Sequence, residues 1–184
     1  MGYSTQSPGN RNITLIGMAG VGKSVIGKEL AKALLYTFID IDEIIEKKFN
    51  LKLQEIIDQW GEERFLEIEE QTILKLGKLD HSVISPGGSV IYSEEAMKFL
   101  KNNSVVVFLN APLENIEKRI PDQLTRGIIG LKTKNLKRLF NERLSLYKKY
   151  ADQTIEISEN FHIDTVVEEI IQKISNQNIN RSIQ

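Results

Sequence analysis

The octapeptide Gly17-Met18-Ala19-Gly20-Val21-Gly22-Lys23-Ser24 limits what this chain can become more than any other stretch. Its spacing of Gly, four residues and Gly-Lys-Ser marks a phosphate-binding loop between a strand and a helix. Both flanks agree with that reading. A strand is predicted over Ile13–Met18, because Ile13-Thr14-Leu15-Ile16 is a short apolar run of the kind buried inside a sheet. A helix is predicted from Val25 to Leu35, with Val25, Ile26, Leu30, Ala33 and Leu34 near helical spacing. Glycines let the backbone turn tightly and aim N–H groups at one phosphate, here around Gly20, Val21 and Gly22. The helix that follows adds its positive N-terminal end. Lys23 would reach the β- and γ-phosphates, and the Ser24 hydroxyl would ligate Mg²⁺. The chain is therefore expected to bind a nucleoside triphosphate.

At 184 residues, one α/β domain with a sizeable core is the natural reading. Residues 1–12 are polar, glycine-containing and aperiodic, so a disordered lead is expected there. The domain would span 13–175, with a polar tail over 176–184. The net charge of −1 gives no electrostatic case for nucleic acid or an anionic membrane as partner. The absence of cysteine excludes disulfides, thiolate metal sites and thiol catalysis, and two histidines are too few for a histidine-based metal site. No apolar run approaches the roughly 18 residues of a membrane span. A cytoplasmic monomer acting on small molecules is the expectation.

Along the chain, strands and helices alternate. Strands are predicted at 37–42, 82–85, 104–109 and 154–157. Helices are predicted at 43–49, 53–60, 62–76, 93–101, 112–119, 133–150 and 161–175, with Gly61 as punctuation. Residues 121–132 carry two glycines and little periodicity, and read as a mobile lid. Alternation of this kind implies right-handed crossovers and a three-layer α/β fold, with a five-stranded parallel sheet and helices on both faces. Ligands of such sheets sit at the carboxyl ends of the strands. The phosphate loop, Asp40 with Asp42, and Pro86-Gly87-Gly88 all fall at such ends.

Asp40 and Asp42 are spaced i, i+2, which on an extended segment puts both on one side. Like charges so close call for a cation between them, which suits Mg²⁺ at Asp40 and a substrate hydroxyl at Asp42. A cap on the helix beginning at Glu43 is the alternative use of Asp42. Neither the strand ending at Ser85 nor the one ending at Leu109 finishes in an Asp for the metal, and the guanine-reading Asn-Lys-x-Asp is missing. This leaves the small kinases, which hold an acceptor beside ATP under a lid.

The phosphate loop, Phe38-Ile39-Asp40-Ile41-Asp42-Glu43-Ile44-Ile45-Glu46, Gly61-Glu62-Glu63-Arg64-Phe65 with Glu69, the Gly87-Gly88 turn, and Arg143-Leu144-Ser145-Leu146-Tyr147 occur in an order and spacing that resembles shikimate kinases. The resemblance implies a P-loop kinase fold and transfer of the ATP γ-phosphoryl group to shikimate, giving shikimate 3-phosphate, with Mg²⁺ as cofactor. It implies that Asp40 holds Mg²⁺ opposite Ser24 and that Asp42 binds acceptor hydroxyls as the base. Lys23, Asp42 and Arg126 would be the catalytic residues, Arg126 as the lid arginine on the transferring phosphoryl group. Arg119 would lie against the adenine. The Gly87-Gly88 backbone would contact the acceptor, Ile57 and Phe65 would wall its pocket, and Arg143 would pair with its carboxylate.

Three departures accompany the match. Leu66 stands where the family has a second carboxylate-binding arginine, a loss of about 1.5–3 kcal/mol in a charge-assisted contact. The family's Gly-Gly-Gly turn is reduced to Pro86-Gly87-Gly88-Ser89, and the lid reads Arg126-Gly127-Ile128-Ile129 without its proline. The acceptor side is thus altered and the phosphate side intact. Two other readings follow: a kinase for a different small hydroxylated acceptor, and a nucleotide-binding regulatory module without turnover.

Overall fold

The computed structural model describes residues 12–120 and 127–182, with the side chains of 177–182 left aside. Five parallel strands form one sheet in the order β2-β3-β1-β4-β5. They are β1 (Asn12–Ile16), β2 (Thr37–Asp40), β3 (Ser82–Ser85), β4 (Ser104–Asn110) and β5 (Gln153–Glu156). β1 and β4 run side by side from Asn12 opposite Ser104 to Ile16 opposite Phe108. These central strands are buried on both sides, which is why they are mainly apolar, with Thr14 of β1 satisfied by a hydrogen bond with Ser104.

The helices are α1 (Lys23–Leu34), α2 (Ile41–Phe49), α3 (Leu53–Leu74), α4 (Glu94–Asn103), α5 (Leu113–Arg119), α6 (Leu136–Tyr150) and α7 (Ile163–Ser182), with a 3₁₀ turn at Val90–Tyr92. α1 packs on α7 and on the β1, β2 and β3 side, while α4 and α6 both pack on β4 with α3 against α4. Right-handed crossovers require this division into two covering layers. The fold class is the one expected from the sequence.

Several boundaries move for identifiable reasons. Asn12 belongs to β1, where its amide donates to Asn103 O at 2.8 Å and accepts from Ser82 N–H at 3.0 Å. Residues 53–74 form one helix kinked at Gly61, whose φ of 83° and ψ of 167° only glycine adopts readily. Ser93 caps α4 through its Oγ, as the sequence suggested. α7 continues to Ser182, beyond Ser175 where its apolar pattern stops. The described end of the predicted lid is fastened to α3. Gly127 N–H donates to Gln54 Oε1 and Gly130 N–H to Glu62 Oε1, each at 3.0 Å.

Gly27 marks the tightest helix–sheet contact. A Cβ there would overlap the Phe38 ring and stand 3.3 Å from Leu15 Cδ1. Gly27→Ala is expected to destabilise the fold by about 1–3 kcal/mol through overpacking, despite the better helix propensity of alanine. Thermal unfolding checks this, and an unchanged midpoint would mean that the ring withdraws freely.

Candidate active site

Three segments meet above the carboxyl ends of β1, β2 and β3, and α6 closes the space from the other side. The loop after β1 is wound by Gly17, Gly20 and Gly22, with φ of 148°, 81° and 108°. Gly22 is the N-cap residue of α1 and offers no side chain to the helix's first N–H groups. Those donors are therefore available to an anion, and the helix end favours negative charge. Lys23 Nζ donates to the loop carbonyls Gly17 O at 2.8 Å and Met18 O at 3.2 Å. Burial pulls its ammonium down to about 8, with Arg143 pushing the same way and Asp42 opposing. Val21 is fully buried beneath the loop.

Asp40 is the last residue of β2 and the N-cap of α2, accepting from Glu43 N–H at 3.3 Å. Its other oxygen accepts from Ser24 Oγ at 2.8 Å. The helix thus begins at Ile41, two residues before the expected Glu43. Asp42 therefore sits in the first helical turn, so the extended-segment argument for the pair does not apply. The cap is Asp40 rather than Asp42. Asp42 is half-buried, but its Oδ1 is shut off from solvent and has no hydrogen-bond partner. Burial raises its carboxyl to about 6, Asp40 adds to this, and Lys23 works against it.

The Gly87-Gly88 turn follows β3. A Cβ at Gly87 would lie 2.5 Å from Glu69 Oε1 and 3.0 Å from Asp42 Oδ1. A Cβ at Gly88 would lie 3.1 Å from Arg143 Nη1, 3.3 Å from the Tyr147 hydroxyl and 3.4 Å from Ala19 N. Glycine is required here because of close approach, and the phosphate loop and α6 are its neighbours. Ser89 has ordinary right-handed helical dihedrals, so this position does not need glycine.

Arg143 is 1% exposed, yet no carboxylate pairs with it within salt-bridge distance among the described residues. Its Nη2 donates to Ile129 O at 2.7 Å and its Nε to the Tyr92 hydroxyl at 3.3 Å, while the guanidinium stacks on the Tyr92 ring. Nη1 has only Met18 Sδ, at 4.0 Å, and so remains a donor for an anion. Tyr147, one turn on, donates to Gly88 O at 2.7 Å and holds the turn against α6.

Other expected residues fall as follows. Ile57 and Phe65 are buried in the core, and Leu66 is partly buried against it. Arg64, two residues before Leu66, pairs with Glu67 on the exposed face of α3 and does not replace the missing arginine. Arg119 donates to Glu159 O at 3.0 Å and stacks on Phe161, whose ring borders Gly22. Arg126 lies outside the described residues.

Glu69, Ser89, Tyr92 and Tyr147 are the site neighbours to which no role was assigned from sequence. Glu69 had a visible signal: it is a carboxylate beside the apolar positions Phe65, Ile68 and Ile73 of α3. Tyr147 is one turn from Arg143 on the same helix face. Tyr92 carried no signal, because its place depends on a 3₁₀ turn that brings its hydroxyl to Arg143.

The family described as "Shikimate kinase" matches residues 19–175. The shikimate kinase of Caldicellulosiruptor bescii is 41% identical over 75% of this chain and 81% of its own. That of Thermodesulfovibrio yellowstonii is 36% identical over 89% of this chain and 94% of its own. Among solved structures, the shikimate kinase of Acinetobacter baumannii in complex with shikimate has a TM-score of 0.78 at 27% identity, covering 96% of this chain and 97% of that one. The shikimate kinase of Aquifex aeolicus has a TM-score of 0.76 at 30% identity, covering 91% and 98%. A family match that runs from the phosphate loop through the glycine turn to the arginine helix, with relatives this similar over most of their length, means that this chain belongs to the shikimate kinase family.

Proposed function

We propose that this protein transfers the γ-phosphoryl group of ATP to a ring hydroxyl of shikimate, releasing ADP and shikimate 3-phosphate. One observation carries the reading: a buried, unpaired Arg143 faces the Gly87-Gly88 turn, with Asp42 on one side of that turn and the phosphate loop on the other. A buried cation without a counter-ion suits a carboxylate-bearing ligand. An acceptor carboxylate on Arg143 would direct the ring hydroxyls towards Asp42 and the phosphate loop.

In this reading Asp42 orients the attacking hydroxyl and takes its proton as the new P–O bond forms and the bond to the ADP oxygen breaks. Lys23 exchanges its loop carbonyls for phosphate oxygens and follows the charge to the leaving group. Catalysis is then mostly positioning and charge neutralisation. Ser24 and Asp40 place a hydroxyl and a carboxylate side by side, an oxygen donor set that fits Mg²⁺. Bound there, Mg²⁺ would neutralise charge on the β- and γ-phosphates. Arg119 with Phe161 would meet the adenine, and Arg126 the transferring group. Leu66 leaves Arg143 as the main cation for the acceptor's carboxylate. Monomeric, cytoplasmic enzyme is the accompanying reading. Among the described residues no helix is long and apolar enough to cross a membrane.

The test is ADP release from Mg-ATP with and without shikimate. A large shikimate-dependent rate is expected. Tight ATP binding with no release on shikimate or on other polyols and hydroxy acids would support the nucleotide-binding module instead. Release with another hydroxy compound but not shikimate would assign a different acceptor.

A further inference from the structure

Residues 127–134 touch both α3 and α6. Towards α3, Gly127 N–H donates to Gln54 Oε1 and Gly130 N–H to Glu62 Oε1, and the two acceptors stand on opposite sides of the Gly61 kink. Towards α6, Ile129 O accepts from Arg143 Nη2 at 2.7 Å. Lys134 pairs with Glu142, whose other oxygen accepts from the Tyr92 hydroxyl, itself the partner of Arg143 Nε. Both anchors of the guanidinium are therefore tied to this stretch. With Nη2 and Nε held, the planar fork presents Nη1 towards Gly88.

Gly127 makes the attachment to α3 possible. It stands where the family's lid has proline. Its φ is +64°, which proline cannot adopt, and the N–H that Gln54 receives is one that proline lacks. A Cβ there would stand 2.9 Å from Leu53 Cβ and 3.1 Å from Gln54 N, so this backbone rests directly on the first turn of α3. The same chain carries Leu66 in place of an arginine, so the aim of Arg143 matters more.

We propose that Gln54 and Glu62 are positioning residues for acceptor binding. By fastening 127–130 to α3 they hold the Ile129 carbonyl where it aims Arg143 at the acceptor's carboxylate. The proposal rests on the shikimate-phosphorylating reading above and deepens it. The competing explanation is that burial of Ile128 and Ile129 holds the stretch unaided. Apolar burial resists withdrawal but is non-directional, so it does not fix where a carbonyl points. Hydrogen bonds on either side of Ile129 do. Lys132 with Asp58 is an exposed pair and adds little.

The test is steady-state kinetics on shikimate and ATP. Glu62→Ala is expected to raise the KM for shikimate about fivefold, the scale of one hydrogen bond from a neutral donor, and to leave the KM for ATP unchanged. Glu62→Gln should return the KM to near the wild-type value, because its amide carbonyl still accepts from Gly130 N–H. In an Arg143→Ala background, Glu62→Ala should add nothing, as a residue acting through Arg143 requires. Gln54→Ala should give a similar rise, and none once Gly127→Pro has removed the donor. Should Glu62→Ala fail to fold, the Gln54 and Gly127 variants carry the test. An unchanged KM, equal rises for ATP and shikimate, no rescue by glutamine, or a full effect without Arg143 overturns the proposal. No shikimate-dependent ADP release in wild type would defeat the underlying reading. Normal release with any of the overturning results defeats this inference alone.

Discussion

Lys23→Ala is expected to lower kcat by about 10²–10³-fold, the usual cost of removing one group aimed at developing charge in a water-poor site. The fold should survive the change. Lys23 donates to Gly17 O and Met18 O, and the loop is shaped by its glycines rather than by this side chain. Losing the half-buried ammonium removes a desolvation cost and also the charge that opposes Asp42, so the unfolding temperature should change little. Nucleotide should still bind, because the N–H groups at the start of α1 remain. Single-turnover kinetics with calorimetric ATP titration separates the two effects. A variant that keeps a tenth or more of wild-type turnover would remove Lys23 from the catalytic step.

Arg143→Ala is expected to raise the KM for shikimate by about 10- to 150-fold, corresponding to about 1.5–3 kcal/mol for a hydrogen bond to a charged group. The KM for ATP should change little. A structural cost accompanies the loss, because Arg143 ties α6 to Ile129 O and to the Tyr92 hydroxyl. A buried carbonyl left without its donor costs about 1–3 kcal/mol. Arg143→Lys discriminates between these contributions. It keeps the charge but cannot reach Tyr92, Ile129 and an anion at once, since lysine lacks the planar fork. An intermediate KM with near-normal stability is expected for it. Equal losses in the KM for ATP and for shikimate would show that Arg143 serves the whole fold rather than the acceptor.

The residues around the Gly87-Gly88 turn show how far local sequence rules reach. The spacing argument for Asp40 and Asp42 assumes an extended strand, which in fact ends at Asp40. Asp42 still lies at the carboxyl end of β2, because it falls in the first turn of the helix that Asp40 caps. Leu66 stands where the family has an arginine, and it packs on the core. Glu69 was legible as a misfit on its helix, but its neighbours Gly87 and Ser89 come from another part of the chain.

By itself, the sequence determined the layer order, the parallel sheet and the phosphate loop. These follow from local rules: apolar period, glycine at positive φ, and a helix start after Gly-Lys-Ser. Only the tertiary structure decided that Glu69 and Asp42 leave orphaned oxygens over Gly87 and that Arg143 is buried with an open N–H. Those properties depend on which groups approach across the strand ends and which partners they fail to find. That count of satisfied and unsatisfied polar atoms exists only once α3, α6 and the glycine turn are packed together.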